Sequence, residues 1–136
     1  MGPYPAVTLA ESQLKALIPS KLEQEKQERL LGLRHADSGK FFSFPTNGNF
    51  TVGRVSVGQS ILPDMDFSPI QGFEAGVSRL HALINVSAEG VSITDLGSSN
   101  GSSVNGRKLD QHVEQKIENG DKIQFGRLTL EAIIRL

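Results

Sequence analysis

The sequence of 136 residues has no cysteine, no tryptophan, one tyrosine and three histidines. Without cysteine there is no disulfide, no thiolate metal site and no thiol nucleophile. His35, His81 and His112 lack the short spacings of a metal motif, so neither a metal nor another cofactor is expected. Charge of one sign is also missing: 14 Lys+Arg stand against 15 Asp+Glu. That balance gives no overall attraction to a nucleic-acid backbone or an anionic membrane, so any anion site must be local. No run of about 18 apolar residues occurs, and no basic start leads into an apolar stretch. Gly2 is not followed by Ser or Thr at position 6, which is Ala6, so the myristoylation pattern is broken. The chain reads as cytoplasmic and monomeric, binding neither nucleic acid nor membrane.

What is present suits one domain. Hydrophobic residues make up 38% and glycines number 14, enough at this length for a real core. Residues 1–28 stand apart as an N-terminal extension, either helical turns or a linker. Thr8-Leu9-Ala10-Glu11 and Ser20-Lys21-Leu22-Glu23 each place a hydroxyl three residues before a Glu, the pattern of a helix start, and Pro19 separates them. From 29 to 136 short apolar runs alternate with turn residues, the spacing of an antiparallel β-sandwich. Leu30 to His35 and Phe41 to Phe44 read as a hairpin around Asp37-Ser38-Gly39, and Phe50 to Arg54 follows as a strand. Leu80 to Ser87 and Val91 to Thr94 form a second hairpin. In the last strand Leu128, Leu130, Ala132, Ile134 and Leu136 share the buried face, and Ile133 is expected to face outward. Between them, Ser56 to Val77 is an aperiodic connection of roughly 20 residues, a length that tends to signal function.

Three polar clusters fall in loops: Gly53-Arg54, Gly76 to His81, and Ser98 to Gly106. They offer guanidiniums, hydroxyls, amides and Gly-flanked backbone N–H groups, donors matched to an oxyanion. No Gly-Lys-Ser/Thr phosphate loop is present. Ser78-x-x-His81 with Asp95 invites a hydrolase reading, but there is no Gly-x-Ser-x-Gly elbow and no helix after Ser78. A histidine hydrogen-bonded to neighbouring loop backbone accounts for the pattern better, and no catalytic residue is expected.

Taken in order, Gly53-Arg54, Ser78-x-x-His81, Ser98-Ser99-Asn100-Gly101-Ser102, Val104-Asn105-Gly106 and Asn119-Gly120-Asp121-x-Ile123-x-Phe125-Gly126 resemble the signature of forkhead-associated (FHA) domains, in a bacterial-type single-domain form. The resemblance spans about residues 29 to 136. It implies an eleven-stranded antiparallel β-sandwich whose end loops bind a phosphothreonine-containing peptide or protein, with a Ser/Thr kinase upstream. Carried over by motif, Arg54 and Ser78 contact the phosphate, Ser99 adds a hydroxyl and Arg79 a further charge. Asn100 and Asn105 hold the peptide backbone, while Gly53, His81 and Gly101 support the site. Two departures stand out: Ser102 replaces the usual Thr, and Leu80 replaces the second Arg frequent in bacterial members. The alternative is an FHA-fold scaffold that binds a protein independently of phosphorylation.

Overall fold

The computed structural model describes residues 30–45 and 47–135 in full and residues 7–8 as backbone. Eleven strands lie between residues 30 and 135: β2 (Leu30–His35), β3 (Lys40–Ser43), β4 (Gly48–Gly53), β5 (Met65–Asp66), β6 (Leu80–Ser87), β7 (Gly90–Asp95), β8 (Ser102–Val104), β9 (Arg107–Lys108), β10 (Gln115–Ile117), β11 (Lys122–Phe125) and β12 (Leu128–Arg135), preceded by β1 (Val7–Thr8). They form a seven-stranded sheet, β1-β3-β2-β12-β11-β8-β9, and a five-stranded sheet, β10-β7-β6-β4-β5. Period-2 patterning explains the layers. Leu33, Phe42, Ile123, Phe125 and Leu130 from one sheet meet Phe50, Val52, Ile84 and Ile93 from the other in one buried core. Burying each of these side chains contributes about 1.5–3 kcal/mol.

The sandwich is not wholly antiparallel: β5 pairs with β4 in parallel, Val52 opposite Met65 and Gly53 opposite Asp66. This pairing organises much of the 56–77 connection. Met65, Phe67, Ile70 and Val77 are all buried, and Phe67 meets Phe42 edge-on at 4.9 Å and stacks on Phe125 at 5.7 Å. The absence of periodicity there reflects single anchoring side chains, not an unstructured loop. A 3₁₀ turn, Ser68–Ile70, follows β5.

Three other expectations need correction. Ile133 does point away from the inter-sheet core, yet it is only 4% exposed, because Phe41 and Leu30 form a second small cluster with it. Gly32 provides the room: a Cβ there would lie 2.6 Å from the Phe41 ring. Second, the polar run Ser98 to Gly106 is not one loop, since its middle is β8, paired with β11 and β9. Third, Thr8, read as the start of a helical turn, stands in β1, where Val7 and Thr8 pair with Phe41 and Lys40. The second helix-start pattern, Ser20 to Glu23, lies outside the described residues. Among the described residues no helix is long and apolar enough to cross a membrane.

Candidate functional site

Three loops converge at one end of the sandwich: 54–64 after β4, 67–79 before β6 and 96–101 after β7. What brings them together is a β-bulge. Val52 pairs with Ala82 but Gly53 pairs with Leu80, so His81 is the unpaired residue and turns inward. It is 0% exposed and packs edge-on against Phe125 at 5.3 Å. Its Nδ1 accepts a hydrogen bond from Ser78 N–H at 2.9 Å, and its Nε2 donates to the Gly101 carbonyl at 2.9 Å. The backbone N–H at Ser78 thereby assigns the neutral tautomer with the proton on Nε2. Burial lowers the His81 pKa below its ordinary value, against the opposing pull of the Gly101 carbonyl and the Asp95 carboxylate.

Asp95 is nearer to His81 than sequence spacing suggests, Oδ2 lying 3.9 Å from Nε2. It nevertheless serves the 96–101 loop. Its carboxylate accepts from Gly97 N–H and Ser98 N–H, both at 2.9 Å, and from the hydroxyls of Ser98 and Ser102. Burial pushes its carboxyl up, but the Ser102 and Ser98 hydroxyls with the Ser98 and Gly97 amides outweigh burial and hold it below the usual range. Ser98 Oγ in turn accepts from Gly101 N–H at 3.0 Å. The Ser102 hydroxyl thus supplies one of the four hydrogen bonds to the Asp95 carboxylate.

Gly53 is required for close approach. A Cβ at this position would lie 2.0 Å from the Arg79 carbonyl oxygen and 2.9 Å from that of Ser78. Both atoms are backbone, so nothing flexible can yield. Gly53→Ala is expected to destabilise the fold by about 1–3 kcal/mol through overpacking and to displace the Ser78-Arg79 segment. Thermal denaturation of the variant checks this.

The side chains then take their places. Arg54 donates from Nε to the Val77 carbonyl at 2.7 Å, and its guanidinium lies over the Phe73 ring at 4.9 Å. Its two terminal nitrogens carry no protein partner among the described residues. Ser78 Oγ accepts from Ser99 N–H at 3.2 Å, joining two of the loops. Arg54, Ser78, Arg79 and Ser99 line one open pocket of ≈ 510 Å³, with Gln59, Ser60, Ile61 and Leu80 completing its wall. No carboxylate is in this lining. Gln59 accepts from Ser56 N–H through Oε1, while its Nε2 is buried with no hydrogen-bond partner.

Asn100 sits at the edge, donating to the Gly76 carbonyl at 2.9 Å. Asn105 is placed differently: in a left-handed conformation (φ 52) it donates to Asp121 Oδ1 and accepts from Lys122 N–H, tying the β8–β9 turn to the start of β11. Gly101 (φ 82) presents its carbonyl to both His81 and Gly126 N–H. Sequence reading flagged the 56–77 connection and, as the resemblance implies, Ile70 to Gly76 with Phe73 as loop residues beside the peptide, but not Gln59, Ser60 or Ile61. The only signal for Ile61 is chemical: an apolar side chain in a turn-rich stretch has no obvious core to enter.

Taken as chemistry, two guanidiniums and three hydroxyls with no opposing carboxylate in the lining are donors suited to a multiply charged oxyanion. The Ser78 hydroxyl does not meet the imidazole, whose acceptor nitrogen is occupied by backbone N–H, so a Ser-His dyad is not assembled.

Comparison with known proteins is consistent with this geometry. The FHA domain family profile matches residues 50–126, more than half of the chain. Protein FraH of Nostoc sp. (strain PCC 7120 / SAG 25.82 / UTEX 2576) is 31% identical over 112 residues, covering 80% of this chain and 37% of that protein. The chain thus spans little more than a third of the length of this curated relative. Among solved structures, an FHA domain from a structural and functional analysis of phosphothreonine-dependent FHA domain interactions superposes with a TM-score of 0.59 at 28% identity, covering 79% of this chain and 96% of that one. The FhaA FHA domain complexed with the intracellular domain of Rv3910 gives 0.57 at 28% identity, covering 79% and 100%.

Proposed function

The chain belongs to the FHA domain family, and on that premise we propose that the loop end of its sandwich is a non-catalytic receptor for a phosphothreonine-containing protein segment. The observation that carries this reading is the carboxylate-free pocket in which Arg54, Arg79, Ser78 and Ser99 converge. A phosphothreonine brings about −1.5 to −2 charge and three acceptor oxygens, and these donors match both. Asn100 keeps one amide N–H and its carbonyl oxygen for the peptide backbone, and Asn105 keeps one amide N–H. Gly53, His81 and Gly101 support the loops without touching ligand. The reading places a Ser/Thr kinase upstream, in the cytoplasm, and a monomeric module downstream of it.

The test is calorimetric titration with a sequence selected from an oriented phosphothreonine library, in phosphothreonine, phosphoserine and unmodified forms. Phosphothreonine is expected to bind tightest. Phosphoserine should lose about fourfold, the worth of one buried methyl at about 0.8 kcal/mol, and the unmodified peptide should not bind measurably. Ser78→Ala should cost about 1–3 kcal/mol for one hydroxyl donor to a charged group. Equal binding of the unmodified peptide would instead favour the phosphate-independent scaffold. No turnover is expected; fluorophosphonate labelling of Ser78 that is lost in His81→Ala would overturn the non-catalytic part.

A further inference from the structure

The chain just before β6 directs its backbone bonds two ways. The N–H groups of Ala75, Gly76 and Val77 turn back into their own loop, to the carbonyls of Gln71, Phe73 and Gly72 at 3.0, 3.0 and 2.8 Å. The carbonyls from Glu74 to Val77 are each taken by a donor from another part of the chain. Val77 accepts from Arg54 Nε at 2.7 Å and Gly76 from Asn100 Nδ2 at 2.9 Å. Ala75 accepts from the backbone N–H of Arg127 at 2.7 Å, and Glu74 accepts from Nη2 of the same residue. Residues 74–77 are thus a strut, with two side chains of the proposed binding site on one end and the turn between β11 and β12 on the other. Gly126 in that turn permits the approach, since a Cβ there would lie 2.6 Å from the Ala75 carbonyl oxygen.

The two ends of the strut are not fixed alike. Val77 is 2% exposed and is held by the core, whereas Phe73, next to Glu74, is 69% exposed and packs under the Arg54 guanidinium. Apart from that contact, the side-chain bond of Arg127 to the Glu74 carbonyl is what restrains this end from outside the loop, among the described residues. Arg127 does not line the oxyanion pocket; with Glu74 and Ala75 it lines a separate open pocket of ≈ 330 Å³.

We propose that Arg127 is a positioning residue for phosphothreonine binding: it holds residues 74–77 so that Phe73 supports Arg54 and the Gly76 carbonyl holds Asn100 before ligand arrives. Without its side-chain bond these groups gain freedom that binding must remove, and affinity falls by that ordering cost. The inference rests on the phosphothreonine reading and adds to it a residue outside the pocket.

The full chain is titrated calorimetrically with a phosphothreonine peptide selected from the oriented library and with its unmodified form, and each variant is melted alongside. Arg127→Met keeps the aliphatic stem and the backbone bond to Ala75 but loses the guanidinium donors. It should weaken phosphopeptide binding by about five- to tenfold, the range of one hydrogen bond, with Tm within a few degrees of wild type. Arg127→Lys retains a donor and should return to within about twofold of wild type. The same Arg127→Met change is then made in a chain already carrying Phe73→Ala and Asn100→Ala. With both parts that the strut holds removed, it should cost less than about twofold. An equal cost in the two backgrounds would mean that Arg127 acts on the ligand by contact or by charge, and overturns the positioning role. Undiminished affinity in Arg127→Met, with phosphate dependence retained in wild type, also overturns it and leaves the phosphothreonine reading standing. A fall in Tm of about 10 °C or more in Arg127→Met would make the residue a support of the fold and overturn the proposal as well. Equal binding of the unmodified peptide by wild type overturns the phosphothreonine reading itself, and is seen before any variant is made.

Discussion

Arg54→Ala is expected to weaken phosphothreonine-peptide binding by about 30-fold to several thousand-fold, because truncating one partner of a desolvated charge pair costs about 2–5 kcal/mol. The geometry argues for the upper part of that range. The Nε bond to Val77 and the Phe73 ring beneath the guanidinium fix its plane, so the two terminal nitrogens are oriented before ligand arrives and little rotamer entropy remains to be lost. Arg54→Lys keeps the charge but loses both the fixed Nε bond and the planar fork, so it should recover only a minor part of the affinity. Arg54 is half-buried, and its contact with the exposed Phe73 ring is worth only about 0.5–1 kcal/mol. The melting temperature should therefore move by a few degrees at most, separating a binding defect from unfolding. Calorimetry of the three proteins against one phosphopeptide, with melting curves alongside, decides; undiminished affinity in the alanine variant would sink the assignment of Arg54.

His81→Ala should act in another way, lowering stability first and affinity as a consequence. The substitution removes a fully buried ring packed on Phe125 and leaves Ser78 N–H and one bond to the Gly101 carbonyl unmade. Orphaned buried groups cost about 1–3 kcal/mol and a cavity adds to them, so a loss of about 3–5 kcal/mol is expected. At this chain length that corresponds to a fall of about 10 °C or more in Tm. The pH dependence carries a second signature. Burial holds the native His81 pKa below its ordinary value of 6.5, so as pH falls through that value the unfolded chain takes up a proton that the native one resists. The associated stability is complete above about pH 6.5 and is lost as pH falls toward the native pKa. His35, also lowered by burial, adds a term of the same sign. Asp95, lowered from 3.8, contributes stability above that value that is lost only in stronger acid. The decline below about pH 6.5 should accordingly be shallower in His81→Ala than in wild type, keeping the His35 share, and identical slopes in the two would contradict a neutral buried His81.

The sandwich and most of its strands were legible in the sequence because they rest on local signals. Leu80–Ser87 and Leu128–Arg135 alternate with period 2, and Gly39 (φ 76) and Gly90 (φ 133) mark turns that need left-handed or similarly open backbone. The polar residues proposed for the site were named from the ordered motifs around Arg54, Ser78 and Asn100, which carry a resemblance that alternation alone does not, and Arg54, Ser78, Arg79 and Ser99 line one pocket.

What period-2 patterning could not supply depends on partners distant in the chain. Alternation places Ile133 outward correctly but says nothing of Phe41, which covers it from another strand. His81 alternates onto the wrong face unless the bulge opposite Gly53 is known, and that bulge brings the Arg79 carbonyl to where a Cβ on residue 53 would stand. The pairing of β5 with β4 in parallel, the stacking of Phe73 under Arg54 and the tying of Asn105 to Asp121 each join residues from separate loops. Sequence by itself determined where the longer strands lie and which residue types can meet an oxyanion, because backbone dihedrals and donor chemistry are properties of single residues and their neighbours. Only the tertiary structure decided where the donors point, because a side chain's orientation is set by the atoms packed against it, and those come from elsewhere in the chain.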